Sequence, residues 1–246
     1  MNFGELLSTQ WPSLLDGLGV TVVTTLAGCL LTLIISFALG LMAFSRHILT
    51  RGVARVIIEF FRGTSLVVQL VWFVFAMPLL LGVRFDSKIT IGIVVLALNY
   101  GAYGSEVVRG GLTAVPQAQW EACTALNFSH WQQLTRVAIP QAWPEMIPSF
   151  SNLGIQVLKG SSLVSLIALV DLTLAAQQLR SYTTPGNVMA IFAMLLVVYF
   201  IMSYLIATLM RFLERKAKAG IGQGTPPKAS VFTQSQVDLD ASGVAI

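Results

Sequence analysis

Five long apolar segments interrupt the chain, and each is long enough to form a helix that crosses a lipid bilayer. A hydrocarbon core of about 30 Å requires about 20 predominantly apolar residues in a helix. The first segment carries no charge between Val20 and Phe44, and the fourth is the most polar. The sequence therefore predicts an all-α membrane protein with transmembrane helices at about residues 20–44, 65–83, 89–108, 149–170 and 188–212.

The positions of lysine and arginine predict how these helices are oriented. No basic residue precedes the first predicted span, whereas four follow it: Arg46, Arg51, Arg55 and Arg62. Basic residues also follow the fifth span, and loops rich in Lys and Arg stay on the cytoplasmic side. We therefore expect the N-terminus outside and the C-terminus in the cytoplasm. The last segment, residues 217–246, is rich in small and polar residues and is predicted to be a disordered cytoplasmic tail.

Composition agrees with a membrane protein and excludes several other classes. Hydrophobic residues make up 55% of the chain and charged residues only 11%, against about 25% in a soluble domain. The net charge of +4 does not indicate nucleic-acid binding, because the basic residues lie in short groups beside apolar runs. The isolated cysteines and histidines predict neither a disulfide framework nor a metal site: Cys29, Cys123, His47 and His130.

One connection, residues 109–148, is too long and too polar to be a simple turn. Pro116 suits the start of a short helix, because proline is tolerated in a first helical turn. The run from Asn127 breaks this helix, and Ser129 is placed to cap a second helix that ends before Pro140. The alternative is an interfacial hairpin that only connects two spans.

The same connection carries a recognisable motif. Glu121-Ala122-Cys123-Thr124-Ala125-Leu126-Asn127, nine residues and then Val137-Ala138-Ile139-Pro140 resembles the EAA loop of ABC-importer permeases. The family pattern is Glu-Ala-Ala, three residues, Gly, nine residues and Ile-x-Leu-Pro. Asn127 stands where the family has Gly, and Asn is the next-best residue at a left-handed helix end. The spacing of the family motif is intact.

Four further blocks resemble the polar amino-acid branch of this family. They are residues 14–21 (LLDGLGVT), 59–69 (EFFRGTSLVVQ), 102–111 (AYGSEVVRGG) and 159–163 (KGSSL). The resemblance implies a type I ABC-importer permease fold over residues 1–216 in the bacterial inner membrane. It also implies three kinds of partner: a second permease subunit, two cytoplasmic ABC ATPases and an extracytoplasmic solute-binding protein. A heterodimer of permeases is favoured over a homodimer.

The resemblance assigns an ATPase-coupling role to residues in and around the motif: Glu121, Ala122, Cys123, Leu126, Asn127, Phe128 and Pro140. In this interpretation Glu121 hydrogen-bonds at the helix and orients the hairpin, and Ala122 allows close approach of the ATPase. The chain has no Gly-x-x-x-x-Gly-Lys-Ser/Thr loop, so it is not expected to be an enzyme. ATP and magnesium are expected to bind to a partner subunit.

Polar side chains inside the predicted spans are candidates for the translocation path or a gate. Lys159, Gln156 and Asn152 share one face of the fourth predicted span, with Lys159 near its middle. Lys159 could instead bond carbonyl groups at a permease interface or extend towards the headgroups. Asn99 and Gln69 are further candidates, for which the alternative is interhelical hydrogen bonding.

Two pairs of opposite charges are spaced three residues apart, at Glu59 and Arg62 and at Glu106 and Arg109. This spacing places both partners on the same helix face, so we interpret them as structural ion pairs rather than substrate contacts.

Two other classes remain as alternatives to an ATP-driven importer. A secondary transporter or channel acting alone is disfavoured, because an odd number of spans does not allow a simple inverted repeat. A scaffold or receptor would gain nothing from charged residues inside its spans. The substrate cannot be derived from the residues, although Ser65, Gly160 and Asn127 resemble the ectoine/hydroxyectoine branch. Glutamate, glutamine, histidine and arginine-type substrates stay open.

Overall fold

A computed structural model describes residues 3–82, 87–181 and 185–220, and every regular element in these ranges is helical. Several helices are interrupted by π or 3-10 turns. In chain order the elements are α1 (Phe3–Phe44), α2 (Ile48–Gly63), α3 (Leu66–Val71), a π turn (Trp72–Ala76), α4 (Met77–Leu81), α5 (Lys88–Thr113), α6 (Gln117–Ala125), α7 (His130–Gln132), a second π turn (Gln133–Ala138), α8 (Ile139–Ser161), a 3-10 turn (Ser162–Ile167), α9 (Leu172–Arg180) and α10 (Pro185–Gly220).

The first helix, α1, packs along α5, and small residues let the two backbones approach closely. A Cβ added at Gly40 would lie 2.7 Å from the Cβ of Val108 and 2.9 Å from the Ser105 carbonyl. Further along the same contact, the Ser36 hydroxyl donates to the carbonyls of Thr32, at 2.6 Å, and Gly101, at 3.4 Å. Helix pairs in membranes use small residues and hydroxyls in this way, because burial of apolar surface does not drive their association in lipid.

Three helices are long and apolar enough to cross a membrane alone: Gln10–Phe44, Lys88–Thr113 and Asn187–Ala219. Two further pairs of helices meet the criterion together but are bent. The segments Ile48–Gly63 and Leu66–Leu80 meet at 100°, and His130–Ile167 and Leu172–Arg180 meet at 53°. Counting each bent pair as one span gives five, so the described chain contains three to five candidate spans.

The fourth predicted span, residues 149–170, has different bounds in the structure. Helix α8 begins at Ile139 and ends at Ser161, and the 3-10 turn continues to Ile167. The prediction that a short helix ends before Pro140 is also wrong. The preceding π turn bonds the Ile139 amide to the Leu134 carbonyl, five residues back. Pro140 then lies in the first turn of α8, where an absent N–H is tolerated.

Two other predicted boundaries shift towards longer helices, whereas the second predicted span is shorter in the structure. The connection at 109–148 is mostly helical, since residues 109–113 belong to α5 and residues 139–148 to α8. Residues 217–220 of the predicted tail continue α10, and residues 221–246 lie outside the described part of the chain. The second predicted span, 65–83, corresponds to Leu66–Leu81, and residue 83 is likewise outside the described ranges.

Candidate functional site

Helix α6 ends in a left-handed turn at Asn127, as the sequence predicted. Asn127 has φ 52°, and its amide donates to the Thr124 carbonyl at 3.0 Å. The next amide, Phe128 N–H, donates to the Cys123 carbonyl at 3.0 Å. These two bonds are the pair that defines a Schellman motif, which satisfies the last carbonyl groups of a helix. The turn therefore fixes the direction in which the chain leaves α6.

The second arm of the hairpin begins with a capping box. Ser129 accepts from the Gln132 amide at 3.4 Å, and its own amide donates to the Gln132 side chain at 2.9 Å. This confirms Ser129 as the predicted helix cap. Gln133, which the sequence analysis did not single out, is 7% exposed and joins the two arms. Its side-chain amide donates to the Phe128 carbonyl at 3.0 Å and to the Thr124 hydroxyl at 3.5 Å.

The hairpin, which we define as residues 117–138, is anchored to the end of α1. The ring of Trp120 lies 5.9 Å from that of Phe44, between centroids. Leu134 and Ala138 are buried in the cluster that also contains Leu112 of α5. A cavity of about 460 Å³ lies beside this contact, and its lining includes Phe44, Arg46, Gln117, Trp120, Glu121, Thr124, His130 and Gln133.

The predicted coupling residues divide into buried and exposed groups. Cys123 is 5% exposed and faces the protein. Leu126 is 68% exposed, Glu121 and Ala122 are exposed, and Phe128 is half-buried. Pro140 is exposed on α8, away from the turn. Within the described ranges the Glu121 carboxylate has no hydrogen-bond partner. The orienting role predicted for it is filled by Asn127 and Gln133.

The polar face of α8 carries the three predicted residues on one side of the helix. Asn152, Gln156 and Lys159 are all exposed on α8, at the spacing of a single helix face. Because α8 ends at Ser161, Lys159 lies in its last turn, and its position near the middle of a membrane span stays a prediction. A cation in that position is favoured by the helix dipole. Lys159 also borders a cavity of about 440 Å³ between α8, α9 and α10.

The other two candidates for the translocation path lie elsewhere and brace the bend between α2 and α3. The side-chain amide of Asn99 donates to the Phe61 carbonyl at 3.0 Å and to the Gln69 oxygen at 3.3 Å. Gln69 in turn donates to the Phe61 carbonyl at 3.0 Å and to the Thr64 hydroxyl at 2.6 Å. These contacts favour the alternative of interhelical hydrogen bonding, although Gln69 also borders an apolar cavity of about 230 Å³.

The predicted ion pairs are present and joined into a chain. Arg109 contacts Glu106 at 2.7 Å, and Arg62 lies 3.9 Å from both Glu59 and Glu106. Arg62 also stacks on Tyr103, with 5.4 Å from guanidinium carbon to ring centroid. The Glu59–Arg62 pair is therefore looser than the Glu106–Arg109 pair, and Arg62 connects α2 to α5.

A polar hinge between α8 and α9 was missed by the sequence analysis. Asp171 is fully buried and caps α9 by accepting from the Leu174 amide at 2.9 Å. Thr21 of α1 accepts from the Leu172 amide at 3.1 Å, and Gly17 approaches so closely that an added Cβ would lie 2.9 Å from the Asp171 carbonyl. Thr21 and Leu172 are 151 residues apart in the chain, so no local sequence pattern indicates this contact.

Comparison with known proteins places these features in a family. Residues 33–219 match the family described as binding-protein-dependent transport system inner membrane component. The probable amino-acid ABC transporter permease protein y4tF of Sinorhizobium fredii is 46% identical over 86% of this chain and 91% of its own length. The arginine transport system permease protein ArtQ of Bacillus subtilis is 31% identical over 85% of this chain and 94% of its own length.

A solved structure is also similar to this chain. It is described as the crystal structure of an amino acid ABC transporter with histidines, and it has 30% sequence identity and a TM-score of 0.75. The match covers 88% of this chain and 99% of that one. Together with the Glu121–Asn127 turn and the all-helical architecture, these matches show that the chain belongs to the family of inner-membrane components of binding-protein-dependent transport systems and is an ABC-importer permease subunit rather than an enzyme.

Proposed function

We propose that this permease crosses the inner membrane five times and imports polar amino acids or a related compatible solute. The N-terminus lies outside and the C-terminus in the cytoplasm, so that the α6–α7 hairpin faces the cytoplasm. The distribution of Lys and Arg supports this orientation. Counting each of the two bent helix pairs as one span supports five crossings. An external binding protein delivers the solute, and two ATPase subunits inside supply the energy.

The hairpin at residues 117–138 is the contact with the ATPase, and its geometry is the observation that carries the proposal. The half-buried Trp120 ring beside Phe44 and the buried Leu134 and Ala138 hold it against the ends of α1 and α5. Within the described chain Glu121 and Leu126 are exposed on it. A helical element that is anchored on one side and exposed on the other fits a groove in a partner protein. Movement of the ATPases would then displace the membrane helices as rigid bodies.

The polar face formed by Asn152, Gln156 and Lys159 is directed towards the translocation path or the second permease subunit. Three exposed polar side chains on one face would be costly against hydrocarbon. A second permease that packs against this face, with water between the two, provides the missing polar surroundings. The polar amino-acid branch favours a paralogous second permease, and therefore a heterodimer.

Charge reversal at Glu121 tests the coupling role. We expect Glu121→Arg to lower ATP-driven uptake into proteoliposomes much more than it lowers membrane insertion or thermal stability. Glu145→Arg is the matched control, because it makes the same charge reversal at an exposed residue of α8 outside the hairpin. Uptake that stays coupled to ATP hydrolysis in Glu121→Arg would contradict the proposed contact.

The identity of the imported solute is tested by measuring which ligand the associated binding protein binds. Relatives are described as permeases for arginine, L-cystine or glutamine. Ser65, Asn127 and Gly160 differ from the family motifs and resemble the ectoine/hydroxyectoine branch. Ectoine as the imported solute stays a prediction. Calorimetric titration of the purified binding protein with ectoine and with each of these amino acids separates the two possibilities.

A further inference from the structure

Helix α2 (Ile48–Gly63) presents three different faces around its axis. Ala54 and Ile58 are 0% and 1% exposed and pack against Leu39 and Ala43, near the end of α1. This first face attaches α2 to the bundle. The second face is apolar and exposed, and the third is basic, with Arg55 exposed and Arg51 half-buried.

The apolar face consists of Leu49, Val53, Val56 and Phe60, which are 77%, 46%, 71% and 59% exposed. Their spacing of four, three and four residues places them in one stripe along the helix. Within the described chain Phe60 packs against the neighbouring Phe61 ring, 5.2 Å away between centroids, and the stripe as a whole stays exposed. Four large apolar side chains in one stripe exposed to water would be unfavourable, so another apolar phase must cover them.

The basic face carries Arg51 and Arg55, which lie one turn apart. At 100° per residue, this face is rotated by about 150° from the apolar stripe. Neither guanidinium forms an ion pair with a carboxylate in the ranges that the structure describes, unlike Arg62 near the end of the same helix. Arginine on one side and branched or aromatic side chains on the other are typical of helices that lie in a membrane interface.

The direction of α2 agrees with an interfacial position. Helix α1 ends at Phe44, and α2 starts four residues later, at Ile48. Helix α2 meets the following segment, Leu66–Leu80, at an angle of 100°. A helix that turns through such an angle from a membrane-crossing segment cannot follow the bilayer normal itself. Arg62 and Asn99 fix the bend through contacts with Glu106 and the Phe61 carbonyl.

We propose that α2 lies in the cytoplasmic leaflet and binds anionic phospholipids, with the Leu49–Phe60 stripe among the acyl chains and Arg51 and Arg55 on the headgroup phosphates. The leaflet rests on the orientation given under Proposed function, whereas the binding of anionic lipid does not. Charge complementarity favours lipid as the occupant, because the unpaired arginines match a negatively charged surface.

Binding is measured on the full-length permease purified with the subunits that accompany it, in nanodiscs of phosphatidylcholine with increasing phosphatidylglycerol. Loss of each arginine should weaken phosphatidylglycerol binding about 5-fold, so R51Q/R55Q should weaken it about 25-fold. R215Q/K216Q removes the same charge from α10 and should have a much smaller effect. Equal losses in both double variants, or no loss in R51Q/R55Q, would overturn the proposal.

A second measurement identifies what covers the stripe. A spin label at Val56→Cys in a C29A/C123A background should be accessible to oxygen, which dissolves in lipid, and inaccessible to a water-soluble nickel complex. The same label at Lys216→Cys, exposed at the charged end of α10, should show the opposite accessibility. A label at residue 56 that neither reagent reaches would place the stripe in a protein–protein interface and contradict lipid binding. Both measurements are independent of transport, so a failed uptake assay would not decide them.

Discussion

Replacing Asn127 by valine perturbs the turn on which the proposed coupling hairpin depends. Asn127 adopts φ 52°, in the left-handed region of backbone conformation. This conformation costs an L-residue about 1–2 kcal/mol of free energy, and β-branched residues rarely adopt it. Asparagine reduces this penalty, because its short polar side chain bonds locally. We therefore expect valine to destabilise the turn by about 2 kcal/mol, whereas Asn127→Gly should leave it unchanged or slightly more stable.

The two amides of the Schellman motif report this change directly. Asn127 N–H and Phe128 N–H bond to the carbonyls of Thr124 and Cys123. A loss of about 2 kcal/mol corresponds to about 30-fold faster hydrogen exchange at these positions, if exchange follows local opening. Hydrogen–deuterium exchange by mass spectrometry on the peptide that contains the turn measures this. Equal protection in wild type and Asn127→Val would refute the left-handed turn.

Two further substitutions test the packing around the helices. Thr21→Val removes the acceptor of the Leu172 amide and should lower the free energy of unfolding by about 1–3 kcal/mol, with a lower melting temperature that Thr21→Ser restores. Unchanged melting in Thr21→Val would contradict the hinge contact. Gly40→Ala places a methyl group 2.7 Å from the Cβ of Val108 and should destabilise the protein by about 1–3 kcal/mol in the same assay. Gly19→Ala, where nothing lies within 4 Å, should be neutral or slightly stabilising. Equal melting temperatures for the two alanine variants would show that α1 and α5 are not in close contact.

Local sequence signals were sufficient for the hairpin turn. The cap at Ser129 and the left-handed residue at Asn127 depend on side chains within a few positions in the chain. The Glu106–Arg109 pair likewise follows from spacing on a single helix. These predictions are confirmed because the interactions that determine them are local.

The features that were missed depend on contacts between distant segments. Helix α8 continues through Pro144 and Pro148, since the surrounding bundle holds the chain helical where propensity predicts a break. Helix α2 was not predicted at all, because a segment that mixes arginine with apolar residues lacks the continuous apolar run of a membrane span. The hinge at Asp171 depends on Thr21, on another helix. Lys159 lies in the last turn of α8 because this helix starts and ends earlier than the predicted span.

The central claim, that the α6–α7 hairpin binds the ATPase, is tested most directly by photocrosslinking. A photoreactive amino acid at Leu126, 68% exposed on the hairpin, is compared with one at Leu196, 72% exposed on the apolar helix α10. In membranes that contain the assembled transporter, position 126 should crosslink to the ATPase subunit and position 196 should not. Absence of the ATPase crosslink at 126, or an equal crosslink at 196, would contradict the account.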